Sequence, residues 1–180
     1  FGWGLGIGLS FFVPDYEKVI KEGIAARVKE AQEELEKLRY TDNDSFDKGD
    51  YLRACIIALT AMQRMYHRYG EACTAKAEET ADPVRKAELV RMADTCHNLA
   101  ENGARDFRDA IQAFWFYWMM ITHGTVPGGR FDQFMYPYYK QDIEAGTLTR
   151  DEALELIECL RIKIMQFNFV SGNAKQRDKW

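Results

Sequence analysis

The sequence predicts a mostly helical chain in one continuous piece, and three observations carry that prediction. Apolar residues recur at helical spacing from Tyr16 to Leu38 and again from Leu52 to Cys73. Helix-start signatures stand at Asp82-Pro83 and at Thr149-Arg150-Asp151-Glu152, the second a full capping box. No internal repeat or low-complexity tract interrupts the 180 residues, enough for one domain with a sizeable core.

Taken in order, residues 1–13 alternate glycine (Gly2, Gly4, Gly6, Gly8) with apolar residues. The spacing misses G-x-G-x-x-G and no Lys-Ser/Thr pair follows, so an extended packed segment is predicted and not a phosphate loop. Pro14 and Asp15 open a first helix with Tyr16, Val19, Ile20, Ile24, Val28, Ala31, Leu35 and Leu38 on one stripe. Residues 41–50 read as a loop, and a second helix is predicted from Asp50 to Glu79. A third starts at Asp82-Pro83, carries Leu89, Val90, Ala93 and Cys96, and fades at Asn102-Gly103. Asp106 caps a fourth, whose continuation Ile111–Ile121 is apolar on every face and reads as a buried helix or as a helix entering a buried strand. Gln133 to Gly146 predicts a short helix broken or kinked at Pro137. The last helix follows Thr149, with Ala153, Leu156, Ile157, Leu160, Ile164 and Phe167 inward.

Composition narrows function. Hydrophobic residues are 47% and charged residues 29%, a globular profile, and the net charge of −4 argues against non-specific nucleic-acid binding. The longest apolar run, Ala113–Ile121, is too short for a membrane span, and no secretory signal is visible. Cys55, Cys73, Cys96 and Cys159 are expected as free thiols in a reducing cytosol. A start at Phe1 and a polar run into Trp180 lead to the expectation of a piece of a longer protein.

Sites are tested by spacing. His67, His97 and His123 form no H-E-x-x-H, and no C-x-x-C occurs, so structural histidines and no metal site are expected. No G-x-S-x-G elbow is present. Glu33-Glu34, Glu78-Glu79 and Asp151-Glu152 read as solvated faces and caps. Phe114-Trp115-Phe116-Tyr117-Trp118 reads as a core helix, since no Lys or Arg interleaves a stacking platform. The stretch from Pro127 to Tyr139 holds a Pro-Gly-Gly turn followed by Arg130 and Asp132, which in extended backbone share a face. A structural Arg–Asp pair is the plainer reading; a bidentate clamp on a substrate carboxylate is the other, and both stay open.

Several segments resemble one family. Pro14-Asp15-Tyr16-Glu17-Lys18-Val19 is similar to the P-[DN]-[YW]-E-K-V/L segment of glycyl radical enzymes, the pyruvate formate-lyase-like superfamily. Phe107 to Phe116 resembles its F-x-E-A-[IL]-Q-x-F-W-F helix, and Gly129 to Tyr139 its G-R-F-D-Q-[YF]-M-Y-P-[YF]-[YF] stretch. Leu148 to Lys163 continues in register. The chain departs from the family pattern at Glu101–Arg105, where prolines are missing, and in its Gly-rich start.

The resemblance implies that residues 1–180 are a partial domain of a ten-stranded α/β barrel enzyme, an N-terminal-half portion lacking the thiyl Cys and glycyl radical loops. It implies an anaerobic, cytoplasmic homo-oligomer with a glycyl radical installed by a radical-SAM activating enzyme, small accessory subunits being further candidate partners. Trp118–Thr125, Gly128-Gly129, Met165–Gly172 and Gln176–Trp180 point to the fumarate-adding branch, nearer the alkylsuccinate than the benzylsuccinate synthase type. The expected reaction is radical addition of a hydrocarbon to fumarate. A dehydratase, C–N lyase or arylacetate decarboxylase is the alternative, and a helical scaffold the non-enzyme one. The resemblance carries no catalytic, cofactor-binding or metal-binding residue over to this chain.

Overall fold

The computed structural model describes residues 13–121 and 128–166. It contains α1 (Tyr16–Glu22), α2 (Ile24–Lys37), α3 (Asn43–Glu79), α4 (Pro83–Glu101), α5 (Phe107–Ile121), α6 (Phe131–Ala145) and α7 (Arg150–Gln166).

The expectation of a part in a ten-stranded α/β barrel is corrected here: among the described residues every element is a helix and no strand occurs. The reason lies in α5. The segment that periodicity left open between helix and strand is helical to Ile121 and is buried on several faces, through Phe107, Ala110, Ile111, Ala113, Phe114, Phe116 and Trp118. It packs against α1, α4, α6 and α7, so an all-round apolar surface is what its central position requires. Full burial of a side chain such as Phe114 stabilises the fold by roughly 1.5–3 kcal/mol.

Three boundaries move for local reasons. The first predicted helix divides at Gly23, whose φ of 84° ends α1 and starts α2. The loop expected at residues 41–50 is already helix. Asp42 accepts from the Ser45 backbone N at 2.8 Å, while the Asp42 N–H reaches Ser45 Oγ at 3.2 Å, a reciprocal cap that starts α3 seven residues early. The Asp, Asn and Ser that read as loop are the cap. Pro137 does not break α6, which runs through it and ends at Gly146 in the left-handed conformation.

The remaining starts agree with the sequence. Asp82 accepts from Val84 N at 3.0 Å with Pro83 in the first turn, and Thr149 and Glu152 exchange bonds at 2.8 and 3.2 Å. On α4, Val90 is exposed, and Leu99 and Ala100 complete the buried face. α3 and α4 lie antiparallel, since Gln63 meets Glu101 while His67 meets His97. The Gly-rich segment of residues 1–12, His123, Pro127 and Phe167 lie outside the described residues.

Candidate functional site

The conspicuous loop of the sequence becomes the entry to α6. Gly129 has φ of 61°, and a Cβ there would stand 2.8 Å from Val13 Cγ1, so glycine serves both backbone shape and contact. Phe131 anchors the turn in an aromatic cluster. Its ring lies 5.1 Å from Phe114 edge-on and 5.8 Å from Phe134, and Tyr16 stacks on Phe134 at 5.7 Å.

Above this seat, Arg130 Nε and Nη2 each donate to Asp132 at 3.3 Å. The predicted pair therefore forms, but in the open: the side chains are 76% and 64% exposed. Hydrogen bonds from Arg130, then from Gln133, pull the Asp132 carboxyl down to about 2. The Arg130 fork is thus satisfied by an intramolecular carboxylate, the same chemistry by which it would hold one from a ligand.

A second polar centre, not singled out from the sequence, is buried where α4 meets α5. Asp109 is fully buried (0% exposed). It accepts from Thr95 Oγ1 at 2.7 Å, Arg105 Nε at 2.7 Å and Asn98 Nδ2 at 3.3 Å, and Arg91 lies 3.6 Å away. Asp109, then Asp94, raise the Arg105 guanidinium above its ordinary value, keeping it charged. Asp106 pairs with Arg91 and accepts from the Asp109 backbone N at 2.8 Å, while the buried Asp142 of α6 accepts from Phe107 N at 2.8 Å. Side chains from two directions thus satisfy the Phe107 and Asp109 N–H groups at the α5 N-terminus. A faint signal was present: Asp109 shares a helical face with Ala113 and Phe116, an apolar stripe where a charge must find partners.

The other candidates are placed plainly. The four cysteines are free; Cys96 is buried, and burial pushes its thiol up to about 12, while burial also raises Cys73. Cys159 is exposed. Glu33, Glu78, Glu79, Asp151 and Glu152 are exposed. His67 and His97, thirty residues apart, are brought face to face. Among the described residues no group of three or more His, Cys, Asp or Glu is poised for a metal, and no helix is long and apolar enough to cross a membrane.

The family model described as pyruvate formate lyase-like matches residues 7–177. The chain belongs to the pyruvate formate lyase-like family. Over 162 residues it is 39% identical to the isethionate sulfite-lyase of Bilophila wadsworthia, covering 87% of this chain and 20% of that protein. The glycerol-bound B12-independent glycerol dehydratase from Clostridium butyricum superposes with a TM-score of 0.85 at 36% identity, over 94% of this chain and 22% of that one. A structure describing 1,2-propanediol dehydration in Roseburia inulinivorans gives a TM-score of 0.86 at 32% identity, over 91% and 21%. This pyruvate formate lyase-like chain spans about one fifth of the length of the relatives it matches.

These relatives overturn the expected fumarate-adding branch, and with it the alkylsuccinate synthase and hydrocarbon-degradation readings: they are a sulfite-lyase and dehydratases. The segments that carried that branch are short and fall mostly within 122–127 and 167–180, outside the described residues. The long motifs at 107–116 and 129–139 form the buried α5 and the seat of α6, which report how the helices pack and not which bond the enzyme breaks.

Proposed function

We propose that this chain is the helical part of a longer glycyl radical enzyme of the dehydratase or lyase type. Its substrate would be a small hydroxylated carbon compound bearing a leaving group on the neighbouring carbon. Loss of water or sulfite from that carbon would leave a carbonyl product; a sulfite-lyase and two diol or triol dehydrating enzymes among the relatives support this chemistry. The 39% identity to a sulfite-lyase, alongside 36% to a glycerol dehydratase, carries the reading. The glycyl radical would sit elsewhere in the polypeptide, installed by a radical-SAM activating enzyme; no step is assigned to it through residues of this chain. Homo-oligomerisation and a cytoplasmic setting belong to the same proposal.

The test is anaerobic activation of the full-length enzyme followed by incubation with isethionate, glycerol or propane-1,2-diol. Aldehyde formation from one of these supports the proposal. An activated, radical-bearing enzyme that turns over none of the three, and releases neither water nor sulfite from related hydroxylated compounds, would sink it.

Within this frame the role we assign to residues 128–134 is architectural. Gly129 shapes the turn and Phe131 anchors it, while the exposed Arg130–Asp132 pair adds little, since water screens its attraction and holding both side chains costs their freedom. Asp132→Ala in the full-length enzyme is therefore expected to leave hydrogen-exchange protection of the α6 amides as in the parent. If that stable variant carries its radical and yet loses turnover by tenfold or more, Arg130 or Asp132 contacts substrate or a neighbouring active-site segment.

A further inference from the structure

The middle of α3 presents a face that no described helix covers. On the side turned to its neighbours α3 buries Leu52, Met62, Tyr66 and Ala77. On the opposite side Ala54, Ile57, Ala58 and Ala61 are exposed, Ile57 at 71%, with Tyr51 beside them at 69%. They recur at the three- and four-residue spacing that places side chains on one helix face. From Tyr51 to Gly70 the chain holds no acidic residue, and its Lys and Arg there are Arg53, Arg64 and Arg68 alone. A helix side that faces water carries mixed charge, as α2 does with Lys29, Glu30, Glu33 and Glu36.

The same face carries two guanidinium groups that nothing holds. Arg64 and Arg68 are exposed, and among the described residues neither takes part in a hydrogen bond or an ion pair. Arg53, earlier on the same helix, holds Asp50 at 2.8 Å, and Arg91 and Arg105 are tied to Asp106 and Asp109. Being four residues apart, Arg64 and Arg68 stand one turn from each other, about 6 Å along the axis. A groove lined by Met65, Arg68, Tyr69 and Ala72 lies at the end of the face. Tyr69 backs that groove by packing on Phe116 of α5 at 5.0 Å.

What can cover this face follows from its chemistry. Ala54, Ile57, Ala58 and Ala61 offer no hydrogen-bonding side chain, and their backbone groups lie within α3. A loop laid on them would bury N–H groups with no acceptor, whereas a helix satisfies its own backbone. To keep Arg64 and Arg68 paired once water is excluded, that helix must bring carboxylates. An apolar surface with arginine and few other charges is the composition of a covered interface. The source of the helix follows from length: the chain spans about one fifth of the relatives it matches, so most of such a polypeptide lies outside it. A second copy fits less well, since pairing the face with itself opposes two surfaces that lack an acidic residue from Tyr51 to Gly70.

We infer that the exposed face of α3, from Ala54 to Arg68, seats a helix contributed by the part of the same polypeptide outside residues 1–180, with carboxylates of that helix paired to Arg64 and Arg68. The inference rests on the reading of this chain as part of a longer enzyme, and not on which bond that enzyme breaks. The contact removes Ile57 and Met65 from water and gives each guanidinium a planar acceptor for its parallel N–H groups.

The test uses the full-length protein before activation, so its outcome is independent of turnover. Hydroxyl-radical footprinting compares oxidation of Ile57 and Met65 in the native protein and in the denatured chain. Both residues should lose most of their oxidation in the native protein. Oxidation of Ile57 near its denatured rate, as its 71% exposure here would allow, overturns the proposal. In parallel, Arg64→Lys and Arg68→Lys supply amines for a carbodiimide, which joins an amine directly to a carboxylate in contact with it. Protein assembled from mixed 14N and 15N chains separates joins within one copy from joins between two. The expected result is a join from either lysine to an Asp or Glu outside residues 1–180 of the same copy. Joins only between copies, only to acids within residues 1–180, or none at all in variants with parent-like amide protection, overturn it.

Discussion

Replacing Asp109 by alanine is expected to cost about 3–5 kcal/mol, the range found when one partner of a buried ion pair is removed. The carboxylate is fully buried and takes hydrogen bonds from Thr95, Asn98 and Arg105. Without it, the Arg105 charge keeps only the exposed side of its network, through Asp94 at 2.7 Å, and the Thr95 hydroxyl loses its acceptor. Asp109→Asn, which retains shape and one acceptor oxygen but not charge, should fall between alanine and the parent. A large protein does not unfold in one step, so the measurement is hydrogen exchange of the α4 and α5 amides in the full-length molecule. The slowest of them should exchange at least about a hundredfold faster in the alanine variant. Unchanged protection would mean that the Asp109 knot does not hold α4 to α5.

Gly103→Ala is expected to be nearly as damaging, for a steric reason. A Cβ at this position would stand 2.1 Å from the Lys21 carbonyl oxygen and 2.6 Å from its carbon. Both obstacles are main chain, so neither can swing aside as a side-chain tip would. The same crossing holds the Ala104 N–H on the Ile20 carbonyl at 2.8 Å, and a Cβ on Gly23 would meet the Asn102 carbonyl carbon at 2.5 Å. The end of α1 and the α4–α5 turn therefore touch backbone to backbone. The substitution must push them apart, at the upper end of the roughly 1–3 kcal/mol that overpacking costs. Proteolysis and amide exchange localised to α1 would report it. A variant with native protection across α1 would show that the crossing can open without consequence.

These two sites also mark how far the sequence could be read. Helix starts were legible wherever the cap is local, as at Asp82, Asp106 and Thr149, because a cap is satisfied within three residues of chain. The start of α3 was misread although its cap is equally local. A run of Asp, Asn and Ser describes both a loop and a reciprocal cap, and only the bonds between Asp42 and Ser45 separate them. Gly23 gave no warning of a break, because the apolar stripe continues through it from Ile20 to Ile24. The Arg130–Asp132 pair was foreseen because two residues apart is a local relation; its exposure was not, because burial depends on what packs above.

By itself, then, the sequence determined the helical periodicity, most of the caps and the family, since each is written in residues near one another along the chain. Tertiary structure decided whether Ile111–Ile121 was helix or strand, because a segment apolar on all sides takes its form from its neighbours. It decided that Asp109 would be buried among Arg91, Thr95, Asn98 and Arg105, and that His67 and His97 would meet. The shared reason is that a charge or an imidazole has no assigned role until distant helices bring, or fail to bring, a partner within about 3 Å.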